Sequence, residues 1–119
     1  LKFNAHPRAY GNFARVLGHY TRDEKLMTLQ QAIYKLSKLP ATHLKLQKRG
    51  ELKIGNYADI VIFDAATVTD HATYDKPHQF ATGVTDVFVN GMQILKNGEH
   101  TNAMPGKFVK GPGYKQTAK

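Results

Sequence analysis

The side chains able to do chemistry are few and dispersed. Six histidines occur, His6, His19, His43, His71, His78 and His100, and there is no cysteine. Two imidazoles that share a metal usually sit two or four residues apart on one face of a strand or helix. No pair here has that spacing, and His71 and His78 are seven apart in a polar stretch, so they read as exposed or hydrogen-bonded loop histidines. The absence of cysteine removes disulfides and cysteine-ligated zinc or iron–sulfur sites, and fits a reducing, cytoplasmic setting. Asp59 and Asp64 invite an acid–base reading because they bracket an apolar run. On an extended strand they stand roughly 16 Å apart, too far to share a substrate, and so read as strand ends. The spacing therefore offers no metal pair among the histidines and no dyad between Asp59 and Asp64.

Charge is the next candidate. The 119 residues hold 17 Lys plus Arg against 9 Asp plus Glu, a formal net charge of +8. The densest stretch contains Lys35, Lys38, Lys45, Lys48, Arg49 and Lys53, and the tail adds Lys107, Lys110, Lys115 and Lys119. Neither interleaves with aromatic residues as a base-stacking platform would. The pattern reads as a solvated face with a basic tail, not as a nucleic-acid site. A stand-alone basic module for RNA or an acidic partner is the alternative function. No apolar run approaches the ~18 residues of a membrane span. The first residues are polar and include Pro7, which is unlike a secretory signal. The lack of an initiator methionine makes a fragment an expectation from the start.

The elements that must position these residues fall into two unlike halves. Residues 1–19 are rich in His, Arg, aromatic residues and Gly, and Phe13-Ala14-Arg15-Val16-Leu17 is the only helical hint in them. Thr28-Leu29-Gln30-Gln31 has the form of a capping box, and Leu29, Ala32, Ile33 and Leu36 make the apolar stripe of a short helix. Leu39-Pro40 should stop it. Pro40 can then open another short helix reaching about Leu46. After Gly50 the period changes. Ala58–Asp64 reads as a buried strand, Val84–Val89 as a second and Met92–Leu95 as its hairpin partner across Asn90-Gly91. Asn97-Gly98 marks another turn, residues 65–83 a long polar loop, and the tail from Met104 extended chain.

The fold class is thus α+β: an N-terminal loop with short helices, then a small antiparallel β lobe. A (β/α)8 barrel needs about 200 residues and cannot be contained here. Three strands and two helices make a thin core, so the expected object is a lobe completed by other polypeptide.

The residues then show a resemblance. His6-Pro7-Arg8-Ala9-Tyr10-Gly11 followed by Phe13-Ala14-Arg15-Val16-Leu17-Gly18 resembles the C-terminal end of the N-acyl-D-amino-acid deacylases (D-aminoacylases) of the amidohydrolase superfamily. Leu29–Ile33, Leu39-Pro40-Ala41, Arg49–Gly55, Ala58–Asp64 and Val87–Gly91 extend it. The later segments are shared widely among amidohydrolases, including dihydroorotase and hydantoinase relatives. The His-Pro-Arg-x-Tyr-Gly stretch is the narrower one.

The resemblance implies a (β/α)8 barrel with a metal site and a small β-sandwich built from both chain termini. Residues 1–46 would then be the end of the barrel and residues 47–119 the C-terminal part of the sandwich lobe with an extended tail. The implied reaction hydrolyses the amide of an N-acyl-D-amino acid, zinc polarising the carbonyl and activating water, with an Asp as general base and acid. That Asp and the metal ligands would lie upstream, so the partner implied is the remaining N-terminal portion, and the isolated chain should be inactive. One residue is left as a candidate contact: Arg8, whose planar fork suits the substrate's carboxylate or acidic side chain. It either makes that contact or pins its loop to backbone carbonyls. His6 flanks the pocket or caps the turn, the turn being favoured, while Tyr10 and Phe13 read as packing.

Overall fold

The computed structural model describes residues 5–114. Lys115 and Lys119 of the basic tail, and the first four residues of the expected 1–46 unit, lie outside the described residues. Helix α1 (Arg8–Arg15) runs on into a π-helical segment (Val16–Asp23), followed by α2 (Leu29–Leu36) and α3 (Lys38–His43). Strands β1 (Ile60–Phe63), β2 (Val84–Val89), β3 (Met92–Lys96) and β4 (Glu99–His100) form one antiparallel sheet in the order β1-β2-β3-β4.

The N-terminal third is more helical than its sequence suggests. Residues 8–23 form a continuous helical stretch where only a hint at 13–17 is visible in the sequence. Its buried positions are Gly11, Ala14, Gly18 and Thr21, small residues that let other chain approach closely instead of presenting a large apolar stripe. The Thr21 hydroxyl donates to the Val16 carbonyl five residues back (2.7 Å), supporting the wider π turn.

Helix α2 starts as expected. Thr28 Oγ1 accepts from the Gln31 N–H (3.2 Å), and the Thr28 N–H donates to Gln31 Oε1 (2.9 Å). It ends earlier than expected: the break is at Ser37 (φ −130°, ψ −72°), whose hydroxyl donates to the Ile33 carbonyl at 2.7 Å. Leu39 and Pro40 therefore lie inside α3, at its second and third positions. Proline is tolerated there because the first four N–H groups of a helix have no intrahelical acceptor.

The sheet is organised by two Asn-Gly turns. Asn90 and Gly91 have φ +50° and +82°, Asn97 and Gly98 +50° and +81°, the paired positive values that match the twist of an antiparallel hairpin. The second turn adds β4, two exposed polar residues that the sequence did not mark as a strand, so the sheet has four strands and not three. Arg49 ties the sheet's start to the first turn: its guanidinium pairs with Asp59 and donates to Asn90 Oδ1 at 2.7 Å. Asp59 Oδ1 also accepts the Asn90 N–H at 2.8 Å. At the other end of β1, Asp64 accepts from the Ala66 N–H (2.8 Å) and the Thr67 hydroxyl (3.0 Å). Both carboxylates are turn formers at strand ends.

The expectation that β1 is a buried strand is corrected. It lies at the sheet edge, with Val61 55% and Ile62 49% exposed. An apolar strand open on an edge is the condition proteins normally avoid by covering it. The rest of the core is equally thin: among the described residues the buried apolar ones are Ala14, Ala32, Ala41, Val68 and Ala72. Val68, wholly buried, sits in the long connection 65–83, which lies against the N-terminal helical stretch. A Cβ built on Gly18 would stand 2.3 Å from the Val68 carbonyl oxygen, and one on Gly83 2.4 Å from the Val68 Cα. Arg22 Nη1 donates to the same Val68 carbonyl at 2.7 Å.

Candidate functional site

The start of α1 and residues 70–74 of the long connection enclose a groove of about 490 Å³, with His6, Arg8, Gly11, Arg15, Asp70 and Tyr74 among its walls. The connection reaches the helix because Gly11 has no side chain, a Cβ there falling 2.7 Å from the Asp70 Cβ. Asp70 in turn pairs with Arg15 (Nη1 to Oδ2, 3.1 Å). Its neighbour Tyr20, over whose ring it lies, and then the bond with Asp70 hold the Arg15 guanidinium above its ordinary pKa, so this cation already has a partner.

Arg8 is different. It occupies the first position of α1, where no acidic residue offsets the helix's partial positive charge. Its side chain is exposed and, among the described residues, makes no hydrogen bond or ion pair. The alternative role, pinning the loop through backbone carbonyls, has no such bond among the described residues. Among the described residues the Arg8 guanidinium thus has no partner.

His6 is tied into the same turn. Its Nδ1 accepts the Arg8 N–H at 3.1 Å, and its carbonyl accepts the Ala9 N–H at 3.0 Å. Its Nε2 lies 3.2 Å from the Tyr74 hydroxyl, with the two rings edge to face at 5.2 Å. Tyr10 makes a like contact with the connection, its hydroxyl 3.1 Å from His78 Nδ1 and its ring 5.8 Å from Phe80. Phe13 is 62% exposed.

The other histidines with assigned partners are used locally. His71 Nε2 lies 2.9 Å from the Thr82 hydroxyl, His19 pairs with Glu24 at 2.9 Å, and His100 Nδ1 accepts the Asn102 N–H at 2.9 Å. Among the described residues no three His, Asp or Glu side chains converge as a metal site requires. Sequence reasoning missed Tyr74, Asp70 and Arg15 as walls of the groove. Both tyrosine–histidine contacts across the groove, His6–Tyr74 and Tyr10–His78, join residues 68 positions apart, a separation no local spacing rule can read.

The comparison with known proteins decides the family at this point. The model of the amidohydrolase family matches residues 2–95. The chain belongs to the amidohydrolase family. Among curated relatives, a D-aminoacylase of Alcaligenes xylosoxydans xylosoxydans is 43% identical over 104 residues, covering 87% of this chain and 22% of the relative. A crystal structure of a D-aminoacylase superposes with a TM-score of 0.82 at 43% identity, covering 84% of this chain and 21% of that one. The N-acyl-D-glutamate deacylase of Bordetella bronchiseptica, solved with zinc and a phosphonate mimic of the reaction's tetrahedral intermediate, gives 0.76 at 45% identity over 76% of this chain and 19% of that one. The chain thus spans about a fifth of the length of the relatives it matches, which agrees with the bare edge of β1 and the sparse core. No helix among the described residues is long and apolar enough to cross a membrane.

Proposed function

We propose that this amidohydrolase chain is the C-terminal segment of an N-acyl-D-amino-acid deacylase, and that it contributes Arg8 as the contact for the substrate's carboxylate. The observation that carries the reading is Arg8: an exposed guanidinium at a helix start, without a partner among the described residues and on the wall of a groove. A bidentate pair between it and a carboxylate fixes both the position and the plane of the substrate. His6 belongs to the same pocket edge. The similarity to D-aminoacylase and to the Bordetella enzyme supports the amide of an N-acylated D-amino acid as the bond cleaved.

In this reading residues 1–46 close the barrel and residues 47–119 complete the sandwich lobe, the open edge of β1 taking further strand from the upstream polypeptide. Zinc, as in the Bordetella complex, is the metal of the full-length enzyme, and its ligands and the catalytic carboxylate come from that upstream part. The chain's own share of the reaction is to bind and orient substrate.

Activity of the full-length enzyme and of the 119-residue chain on paired N-acetyl-D- and N-acetyl-L-amino acids tests this. Hydrolysis of the D substrate by the full-length enzyme, with none from the isolated chain, is the expected result. Preference for the L substrate, or turnover by the isolated chain, would refute it.

A further inference from the structure

The groove contains a relay of contacts that ends on Arg8 and starts in the other half of the chain. The Arg8 N–H donates to His6 Nδ1 at 3.1 Å. A backbone N–H can only donate, so Nδ1 must present its lone pair, and in the neutral ring the proton then sits on Nε2. That places the Nε2–H toward the Tyr74 hydroxyl, 3.2 Å away. We propose that Tyr74, through His6, is a positioning residue for Arg8: by accepting from Nε2 it holds the tautomer and ring plane in which Nδ1 fixes the Arg8 backbone. The proposal rests on the reading of Arg8 as the carboxylate contact.

The geometry sets this relay apart from general packing of the connection on the helix. Residues 70–80 touch the start of α1 through two hydroxyl–imidazole pairs, His6–Tyr74 and Tyr10–His78, with ring centroids 5.2 and 5.4 Å apart, both edge to face. The two are alike in chemistry and in what they join. They differ in one respect: His6 also bonds the Arg8 backbone, whereas Tyr10 and His78 have no bond to it among the described residues. Removing either hydroxyl deletes one hydrogen bond between the same two segments, but only the loss at Tyr74 leaves the His6 ring without its second anchor while it still bonds the Arg8 backbone. The consequence is functional coupling, since a residue of the long connection then governs how firmly the substrate's carboxylate is held.

The test compares Tyr74→Phe with Tyr10→Phe in the full-length enzyme, each keeping its ring, alongside Arg8→Gln. Loss of one positioning hydrogen bond predicts a rise in KM of about 2- to 10-fold for Tyr74→Phe, with kcat within about twofold. Tyr10→Phe should leave KM within about twofold, because its hydroxyl does not reach Arg8. Equal KM changes in the two variants, or none at Tyr74, would overturn the proposal. If Arg8→Gln raises KM and Tyr74→Phe does not, the positioning role fails while the reading of Arg8 stands. If Arg8→Gln leaves KM unchanged, the reading of Arg8 fails and the positioning role with it. A second measurement needs no variant: in the 15N-histidine-labelled wild-type enzyme at neutral pH, His6 should show a protonated Nε2 and an unprotonated Nδ1. The opposite tautomer would also overturn the proposal.

Discussion

Asp70 holds Arg15 at 3.1 Å while its Cβ lies where a side chain on Gly11 would have to stand. One residue of the long connection thus both grips α1 and requires a glycine beneath it. The same design recurs two residues earlier in the connection, where Val68 lies against Gly18 and Gly83. Close approach of backbone, with side chains omitted at the contact, does here what a large apolar core does elsewhere.

The cost of restoring those side chains should differ between the sites. At Gly83 the added Cβ meets the Val68 backbone at 2.4 Å and the residue has φ +87°, so Gly83→Ala combines a clash with a strained conformation. A loss of roughly 2–4 kcal/mol is expected in denaturant unfolding of the full-length enzyme. At Gly11 the added Cβ meets the Asp70 Cβ at 2.7 Å, also a clash, but the residue is helical and does not have the positive φ of Gly83, and alanine favours the helix by about 1 kcal/mol. Gly11→Ala should therefore cost less than Gly83→Ala, and the reverse order would contradict this account of the packing.

Asp59 is a turn-forming residue here, not a proton carrier. It pairs with Arg49 and accepts the Asn90 N–H, and Arg49 also lies over the Tyr57 ring at 4.3 Å. Asp59→Ala should destabilise the protein by roughly 1–2 kcal/mol and leave kcat unchanged. A double-mutant cycle with Arg49→Ala should give a coupling energy of about 0.5–2 kcal/mol. A large fall in kcat with unchanged stability would contradict the assignment.

The Lys38–Glu51 pair links α3 to the segment leading into the sheet, at 2.8 Å. The hydrogen bond from Lys38 holds the Glu51 carboxyl below its ordinary pKa. A depressed carboxylate stabilises the folded state above its unfolded pKa, and that contribution is lost as pH falls through the lowered folded value. Glu51→Gln should therefore lower Tm slightly at pH 7 and match the wild type in acid. The pair is exposed, so the difference should shrink in high salt.

The parts legible in the sequence are those where a residue type meets a local demand. Asn90-Gly91 and Asn97-Gly98 announce positive φ, and Thr28 with Gln31 announces a helix start. The helical stretch 8–23 is largely hidden because it buries Gly11, Ala14, Gly18 and Thr21 while Phe13 faces out, so its buried face carries no large apolar side chain. The break at Ser37 was missed because proline is acceptable in a first helical turn, which let α3 begin before Pro40. β1 reads as buried because its apolar run has no polar alternation, whereas Val61 and Ile62 lie half-exposed at the sheet edge. In the groove, the stretch containing Arg8 and His6 stood out, whereas Asp70 and Tyr74 come from a distant segment with no periodic signal.

The central claim is that Arg8 receives the carboxylate of an N-acyl-D-amino acid, and a pair of substrates tests it most directly. Wild-type and Arg8→Gln full-length enzymes would be compared on an N-acyl-D-amino acid and on the same molecule with its carboxylate converted to a primary amide. Loss of a charge-assisted bidentate contact predicts a fall in kcat/KM of roughly 10- to 100-fold on the acid. The account predicts that the amide substrate is affected less than about threefold. An equal fall on both substrates, or none on the acid, would contradict it.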